Sequence, residues 1–129
     1  MTEKLPGEPY TRISCEEAHK NYGQEDSHFI DVRNNDEYES GHIPGSIHIP
    51  VDQFIQSIDQ LPEKGNLYFI CAAGARSGLA CEFSASFSID EDRLFNIFEG
   101  MPTWINSGLP VEKGEYCLLY TSPSPRDRG

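Results

Sequence analysis

The segment Asn66–Ile70 constrains the fold most, because it is apolar on both faces and leads directly into a loop of small residues. It reads NLYFI. A strand without alternating polar residues is typical of a parallel sheet that is covered on both sides. The next seven residues, 71–77, read CAAGARS and lead into a segment with helical spacing. A buried strand, a tight loop and a helix form the repeating unit of α/β proteins.

Strand and helix patterns alternate along the rest of the chain. Short apolar runs predict further strands at residues 28–32, 46–49 and 94–98. Capping residues and apolar residues at helical spacing predict helices at residues 14–22, 34–41, 54–61, 77–87 and 101–106. We therefore predict an α/β fold of three layers, in which helices cover both faces of a central, mainly parallel sheet.

The apolar residues of the predicted helices indicate which side chains enter the core. In the helix at residues 77–87, the positions expected to face the sheet are Leu79, Ala80, Phe83 and Phe87. Trp104, the single tryptophan, is also expected in the core.

Composition and charge exclude several classes of protein. The chain has 129 residues, enough for one ordinary domain, and a formal net charge of −11. An acidic surface repels phosphate backbones, so we expect no nucleic-acid partner. Apolar runs are too short to span a membrane, and residues 1–12 lack the apolar core of a secretory signal. The expected location is therefore the cytoplasm, without a membrane partner.

The cysteines and histidines show no metal-binding pattern. Cysteines occur at Cys15, Cys71, Cys81 and Cys117, with no C-x-x-C pair among them. The four histidines show no ligand spacing either. Disulfide bonds are not expected in a cytoplasmic chain. We predict neither a metal site nor a cofactor.

The C-terminal residues differ in character from the rest. Residues 117–127 read CLLYTSPSPRD, a string that resembles the translation of an adapter used in DNA sequencing libraries. The alternative is a natural Ser/Pro-rich disordered tail, which the composition also permits. We interpret residues 117–129 as a non-native tail and predict the domain at residues 12–115.

Cys71 is the candidate nucleophile. In α/β sheets, ligands bind beyond the carboxyl ends of the strands, where the strand NLYFI delivers Cys71. Backbone N–H groups of the following tight loop can form an anion-binding nest, and the helix N-terminus adds partial positive charge. Both favour the thiolate, the reactive form of cysteine. The alternative is a buried structural cysteine.

Three segments carry a resemblance to one family. Residues 71–77 resemble the C-x-x-G-x-R-S active-site loop of rhodanese domains. Upstream, the matching residues are Asp31-Val32-Arg33, Glu37-Tyr38 and residues 41–46; downstream they are residues 99–101, Trp104 and residues 108–111. Ser46 and Glu99 depart from the family pattern, which has Ala and Gly there. The resemblance spans residues 12–112.

The resemblance implies a rhodanese-like fold and a sulfurtransferase that moves a sulfane sulfur in two steps. Cys71 would take the sulfur from thiosulfate or a persulfide and pass it to a thiol, cyanide or a sulfur-relay protein. The loop would bind the substrate through Ala72, Ala73, Gly74, Ala75, Arg76 and Ser77. A protein-to-protein sulfur relay, or a regulatory binding module without thiosulfate turnover, is the alternative.

Several roles stay open from the sequence. Arg76 either orients an anionic donor or pairs with a scaffold carboxylate such as Asp31 or Glu37. Ser77 is expected to cap the helix first and to line the pocket second. Cysteine phosphatases also place a cysteine before an anion-binding loop, but they have five residues between Cys and Arg, whereas four separate Cys71 from Arg76. The shorter loop suits a sulfur atom better than a phosphate group.

Overall fold

A single mixed sheet forms the centre of the molecule. The computed structural model describes residues 2–114, and within them the strands are β1 (Thr2–Glu3), β2 (Thr11–Ile13), β3 (Ser27–Asp31), β4 (Ile47–His48), β5 (Asn66–Ile70) and β6 (Leu94–Ile97). Their order across the sheet is β1-β2-β6-β5-β3-β4. All neighbours pair in parallel except β1 and β2, which are antiparallel.

Helices connect these strands. The α-helices are α1 (Cys15–His19), α2 (Asn35–Ser40), α3 (Ala75–Ser86) and α4 (Gly100–Asn106). Three short segments are 3-10 helices: Val51–Gln53, Ile55–Gln60 and Glu91–Arg93. The helix predicted at residues 54–61 is thus a 3-10 helix, and the helix predicted to reach Tyr22 ends at His19.

Alternate residues of the central strands enter two cores, one on each face of the sheet. Leu67 and Phe69 of β5 pack in one cluster with Ala80 of α3. Tyr68 and Ile70 of the same strand pack in the other cluster with Trp104 of α4. Helices therefore cover both faces, which confirms the predicted three-layer α/β fold and the core position of Trp104.

The inward face of α3 differs from the prediction. Leu79 is 42% exposed and Phe87 is 48% exposed, so two of the large side chains expected in the core point to solvent. The buried face consists of small residues instead: Ser77, Gly78, Ala80, Cys81 and Ser84. Small side chains let the helix backbone approach its neighbours closely: a Cβ at Gly78 would lie 3.1 Å from the Tyr10 hydroxyl oxygen.

The strand β1 forms one edge of the sheet and β2 lies next to it; neither strand was predicted. They contain only two and three residues, too few for a recognisable alternation. Within residues 2–114, no helix is both long and apolar enough to cross a membrane. The tail predicted at residues 117–129 lies outside the described residues, as does the last residue of the domain predicted at residues 12–115.

Candidate active site

Cys71 is the first residue after β5, at the carboxyl edge of the parallel strands. The backbone N–H of Met101 donates to the Cys71 carbonyl at 2.9 Å, which ties the start of the loop to α4. On the other side, the N–H of Val32 donates to the carbonyl of Ile70 at 3.1 Å. The cysteine backbone is therefore held by two neighbouring elements of the scaffold.

The loop surrounds the Cys71 sulfur with hydrogen-bond donors. The backbone N–H of Gly74 lies 3.1 Å from Sγ and the N–H of Ser77 lies 3.3 Å from it. The Ser77 hydroxyl is 3.4 Å from Sγ, and either atom can be the donor of that contact. This is the backbone nest that the sequence predicts, closed by the first turn of α3.

The electrostatic balance of this nest favours the thiolate. Burial alone raises the pKa of the Cys71 thiol, because it removes water from the charged form. Hydrogen bonds from the Ser77 hydroxyl and from backbone N–H groups, those of Ser77, Ala73 and Gly74, outweigh burial and hold the pKa below its ordinary value. The N-terminus of the twelve-residue helix α3 acts in the same direction.

Gly74 gives the loop its shape. Its φ of 92° lies in the left-handed region, and it is the N-cap of α3. A Cβ at this position would lie 2.7 Å from the carbonyl oxygen of Phe98, so the backbone packs too closely for a side chain. The expectation that Ser77 caps the helix is wrong, because α3 begins at Ala75 and Ser77 lies inside its first turn.

The three alanines of the loop have only a methyl side chain, so the loop surface consists mainly of backbone. Ala73 and Ala75 are exposed and Ala72 is half-buried, whereas Cys71 beneath them is 1% exposed. Cys71 is therefore buried, whereas its neighbours in the loop reach the surface.

Asn96 completes the site and was not predicted. It lies in the middle of β6, is 3% exposed, and its Oδ1 is 2.5 Å from the Ser77 Oγ. Its Nδ2 donates to the Gly74 carbonyl at 3.1 Å. The sequence contained one signal: a lone amide inside the apolar run LFNI must find buried partners.

Arg76 pairs with a scaffold carboxylate. Its Nη1 and Nη2 donate to the two carboxylate oxygens of Glu37 at 2.7 and 2.9 Å. Of the two alternatives from the sequence, the structure has the pairing with Glu37, and a role in donor binding stays a prediction. The hydrogen bond from Arg76 holds the pKa of Glu37 at about 2.

A buried ion pair lies behind the loop at the end of β3. Arg33 Nη2 donates to Asp31 at 2.8 Å and to the Gly41 carbonyl at 2.6 Å. Of the two carboxylates considered as partners of Arg76, Asp31 thus pairs with Arg33, and Glu37 pairs with Arg76.

The other described cysteines lie in different surroundings. Burial, with the nearby Glu99 carboxylate, raises the pKa of Cys15 to about 12. Burial also raises the pKa of Cys81 well above its ordinary value. In residues 2–114 no three His, Cys, Asp or Glu side chains are grouped so that they could hold a metal ion.

A mainly parallel α/β sheet with a cysteine-led amide loop before a helix N-terminus is the arrangement that the sequence motifs predict for a rhodanese-like protein. Residues 14–107 match the family described as Rhodanese-like domain, and the chain belongs to this family.

Three proteins illustrate the relationship. The thiosulfate sulfurtransferase GlpE of Actinobacillus pleuropneumoniae is 25% identical over 105 residues, which cover 81% of this chain and 95% of GlpE. YrkF of Bacillus subtilis, named as a proposed sulfur carrier protein, is 34% identical over 80 residues, 62% of this chain. The match spans 42% of YrkF, so the chain corresponds to less than half of that relative. A rhodanese-related protein from Thermoplasma volcanium is 28% identical, with a TM-score of 0.69 over 78% of this chain and 96% of that one.

Proposed function

We propose that this chain is a sulfurtransferase that carries a sulfane sulfur on Cys71 as a persulfide. The observation that carries the proposal is the position of the Cys71 Sγ, 3.1 Å from the Gly74 N–H and 3.3 Å from the Ser77 N–H. Donors at these distances stabilise a charged sulfur, and the thiolate is the nucleophile that sulfur transfer requires.

The proposed reaction has two steps. The Cys71 thiolate attacks the outer sulfur of a donor; with thiosulfate, a new S–S bond forms at Cys71, the S–S bond of thiosulfate breaks, and sulfite leaves with the electron pair. A thiolate acceptor or cyanide then attacks the outer sulfur of the persulfide. The Cys71–sulfur bond breaks and the Cys71 thiolate returns, ready for another cycle.

Charge supports a persulfide as the better donor. Thiosulfate is a dianion, whereas the chain carries a net charge of −11 and the Arg76 guanidinium is occupied by Glu37. Repulsion at low ionic strength slows the approach of an anion, and salt screens it. We expect a higher turnover efficiency with a low-molecular-weight persulfide than with thiosulfate, and added salt should improve the use of thiosulfate.

The geometry supports phosphatase activity less well. The loop has four residues between Cys71 and Arg76, and the arginine points to Glu37 instead of closing over the nest. A tetrahedral phosphate needs donors around three oxygens, whereas a single sulfur atom needs only the few donors that the loop provides.

Intact-mass measurement tests the proposal. After incubation with thiosulfate or a thiol persulfide, the chain should gain the mass of one sulfur atom, and cyanide should remove it. Cys117→Ser should serve as the background, so that the tail thiol adds no signal. In this background Cys71→Ser should gain nothing, whereas the matched control Cys15→Ser should still gain one sulfur.

The other outcomes separate the alternatives. Loading from a persulfide but not from thiosulfate would favour the protein-to-protein sulfur relay. A wild-type chain that takes sulfur from neither donor would overturn the proposal and favour a regulatory binding module. Sulfur that still accumulates in Cys71→Ser would place the carrier at another residue.

A further inference from the structure

Asn96 is a polar side chain in a buried position, where few water molecules are available as hydrogen-bond partners. It lies in β6 between two parallel neighbours, paired in register with Arg12 of β2 and Phe69 of β5. The side chain is almost fully buried. A buried amide without hydrogen-bond partners destabilises the fold, so its hydrogen bonds decide what it contributes.

The Gly74 carbonyl fixes the orientation of this amide. The carbonyl oxygen can only accept, so the Asn96 Nδ2, 3.1 Å away, must face it. The Oδ1 atom is then directed at the Ser77 Oγ, at a distance of 2.5 Å. A turned amide would bring its Oδ1 against the Gly74 oxygen, which also has no proton to donate.

Ser77 has one hydroxyl proton and two neighbouring acceptors. Asn96 Oδ1 is 2.5 Å away and Cys71 Sγ is 3.4 Å away. The shorter contact takes the proton, and the lone pairs of Oγ then face the sulfur. Ser77 in this state accepts a hydrogen bond from the Cys71 thiol, and it can donate one to the thiolate only by giving up its hydrogen bond to Asn96.

We propose that Asn96 is a positioning residue of the active site that holds the Ser77 hydroxyl proton and so restrains its donation to the Cys71 sulfur. The backbone N–H groups of Gly74 and Ser77 then remain the fixed donors to the thiolate. The proposal rests on the proposed function in that Cys71 is the reacting atom, but its test needs no sulfur transfer.

The other charged and titratable groups around the loop are the same in all variants compared below. On the α3 side they are Arg76, Glu82 and Cys81; beyond the loop they are Glu37, Asp31, Arg33, Cys15 and Glu99; on the β2 side they are Tyr10 and Arg12. Asp31 is paired with Arg33, and Glu37 with Arg76. Because these pairs stay in place, a comparison of variants isolates the path through Ser77.

The test is the pH dependence of Cys71 alkylation by iodoacetamide, followed on the Cys71 peptide by mass spectrometry. Four chains are compared in a Cys117→Ser background: the otherwise unchanged chain, Asn96→Ala, Ser77→Ala and the double variant. Asn96→Ala frees the Ser77 proton for the thiolate, so the pH of half-maximal rate should fall by about one unit, the size of one hydrogen bond to a charged group. In the Ser77→Ala chain, Asn96→Ala should cause no further fall.

Two results would overturn the proposal. One is an unchanged or higher pH of half-maximal rate in Asn96→Ala. The other is an equal shift with and without the Ser77 hydroxyl, because Asn96 would then act by another path.

Asn96→Leu covers the case in which Asn96→Ala does not fold, because leucine is close to asparagine in size and leaves no large cavity. It has no acceptor for the Ser77 proton, so the pH of half-maximal rate should fall as in Asn96→Ala, and this fall should be absent in the Ser77→Ala chain. An unchanged or higher value in Asn96→Leu would contradict the proposal. A chain with the expected shifts but no persulfide would overturn only the proposed function.

Discussion

Cys71 and Cys81 belong to the same core cluster and are 1% and 0% exposed, yet their thiols differ in character. Burial raises the pKa of both, and for Cys81 nothing offsets it. For Cys71, hydrogen bonds from the N–H groups and the hydroxyl of the loop outweigh burial and lower the pKa below its ordinary value. Burial therefore does not decide whether a thiol is reactive; the donors that replace water do.

Backbone geometry creates this difference, and Gly74→Ala should break it. The residue has a φ of 92°, and a new Cβ would lie 2.7 Å from the Phe98 oxygen, so the loop must move. We expect a loss of about 2–4 kcal/mol in the free energy of unfolding and a higher pKa of Cys71, because the Gly74 N–H leaves the sulfur. Thermal unfolding and the pH profile of Cys71 alkylation measure the two effects.

Gly23→Ala is the matched control. Its φ is 86°, but nothing lies within 4 Å of the new Cβ, and the residue precedes β3 at the opposite end of the sheet. It should cost only about 1–2 kcal/mol of left-handed strain and leave Cys71 reactivity unchanged. An equal change of Cys71 reactivity in both variants would show that the loop geometry is not the cause.

Cys81→Ala tests whether the second thiol contributes to the chemistry of Cys71. Removing this buried sulfur leaves a small cavity and should lower the free energy of unfolding by about 1–2 kcal/mol. Sulfur loading of Cys71 should stay at the level of the unchanged chain when both are measured well below the unfolding temperature. Loss of loading in the folded variant would give Cys81 a chemical role.

The contrast between these two thiols also marks what the sequence could predict. The strand NLYFI, the loop and the following helix were predictable because burial and helical spacing leave clear local patterns. The exposed positions of Leu79 and Phe87 were not, since the distance between α3 and the sheet depends on the whole packing of the core. The partner of Arg76 was undecided because Glu37 lies on another helix, and a sequence gives no distances.

The role of Asn96 depends on sheet order in the same way. Its strand β6 follows β5 in the chain and lies beside it in the sheet, with the helix α3 as the connection. Only this pairing places the amide beside the Gly74 carbonyl and the Ser77 hydroxyl. A pattern in one strand can indicate that an amide needs hydrogen-bond partners, but which residues these are depends on how the strands and loops pack together.

The smallest expected effect concerns Arg76, the cation whose charge also acts on Cys71. The pKa of Glu37 is about 2 in the folded chain against 4.5 ordinarily, so its contribution to stability is complete above about pH 4.5 and is lost as the pH falls towards 2. Both side chains are about a third exposed, at 30% and 32%, so we expect about 1 kcal/mol or less. Glu37→Gln should remove this pH-dependent contribution to the free energy of unfolding. Urea unfolding at several pH values measures the change.

Glu37→Gln also tests Arg76 against the backbone as the source of the difference between the thiols. The pH profile of Cys71 should change far less than in Gly74→Ala. A shift as large as that of Gly74→Ala would assign the activation of Cys71 to Arg76 instead of the loop.

The pH dependence of alkylation of each cysteine in the folded, otherwise unchanged chain with Cys117→Ser tests the central claim most directly. Peptide mass spectrometry resolves the rates of Cys71, Cys15 and Cys81. The Cys71 rate should rise with pH and reach half its maximum below the ordinary thiol pKa of 9.0, while Cys15, with a pKa of about 12, and Cys81 stay unmodified near neutral pH. A Cys71 profile with its half-maximal rate at or above pH 9.0 would contradict the claim that the loop stabilises its thiolate.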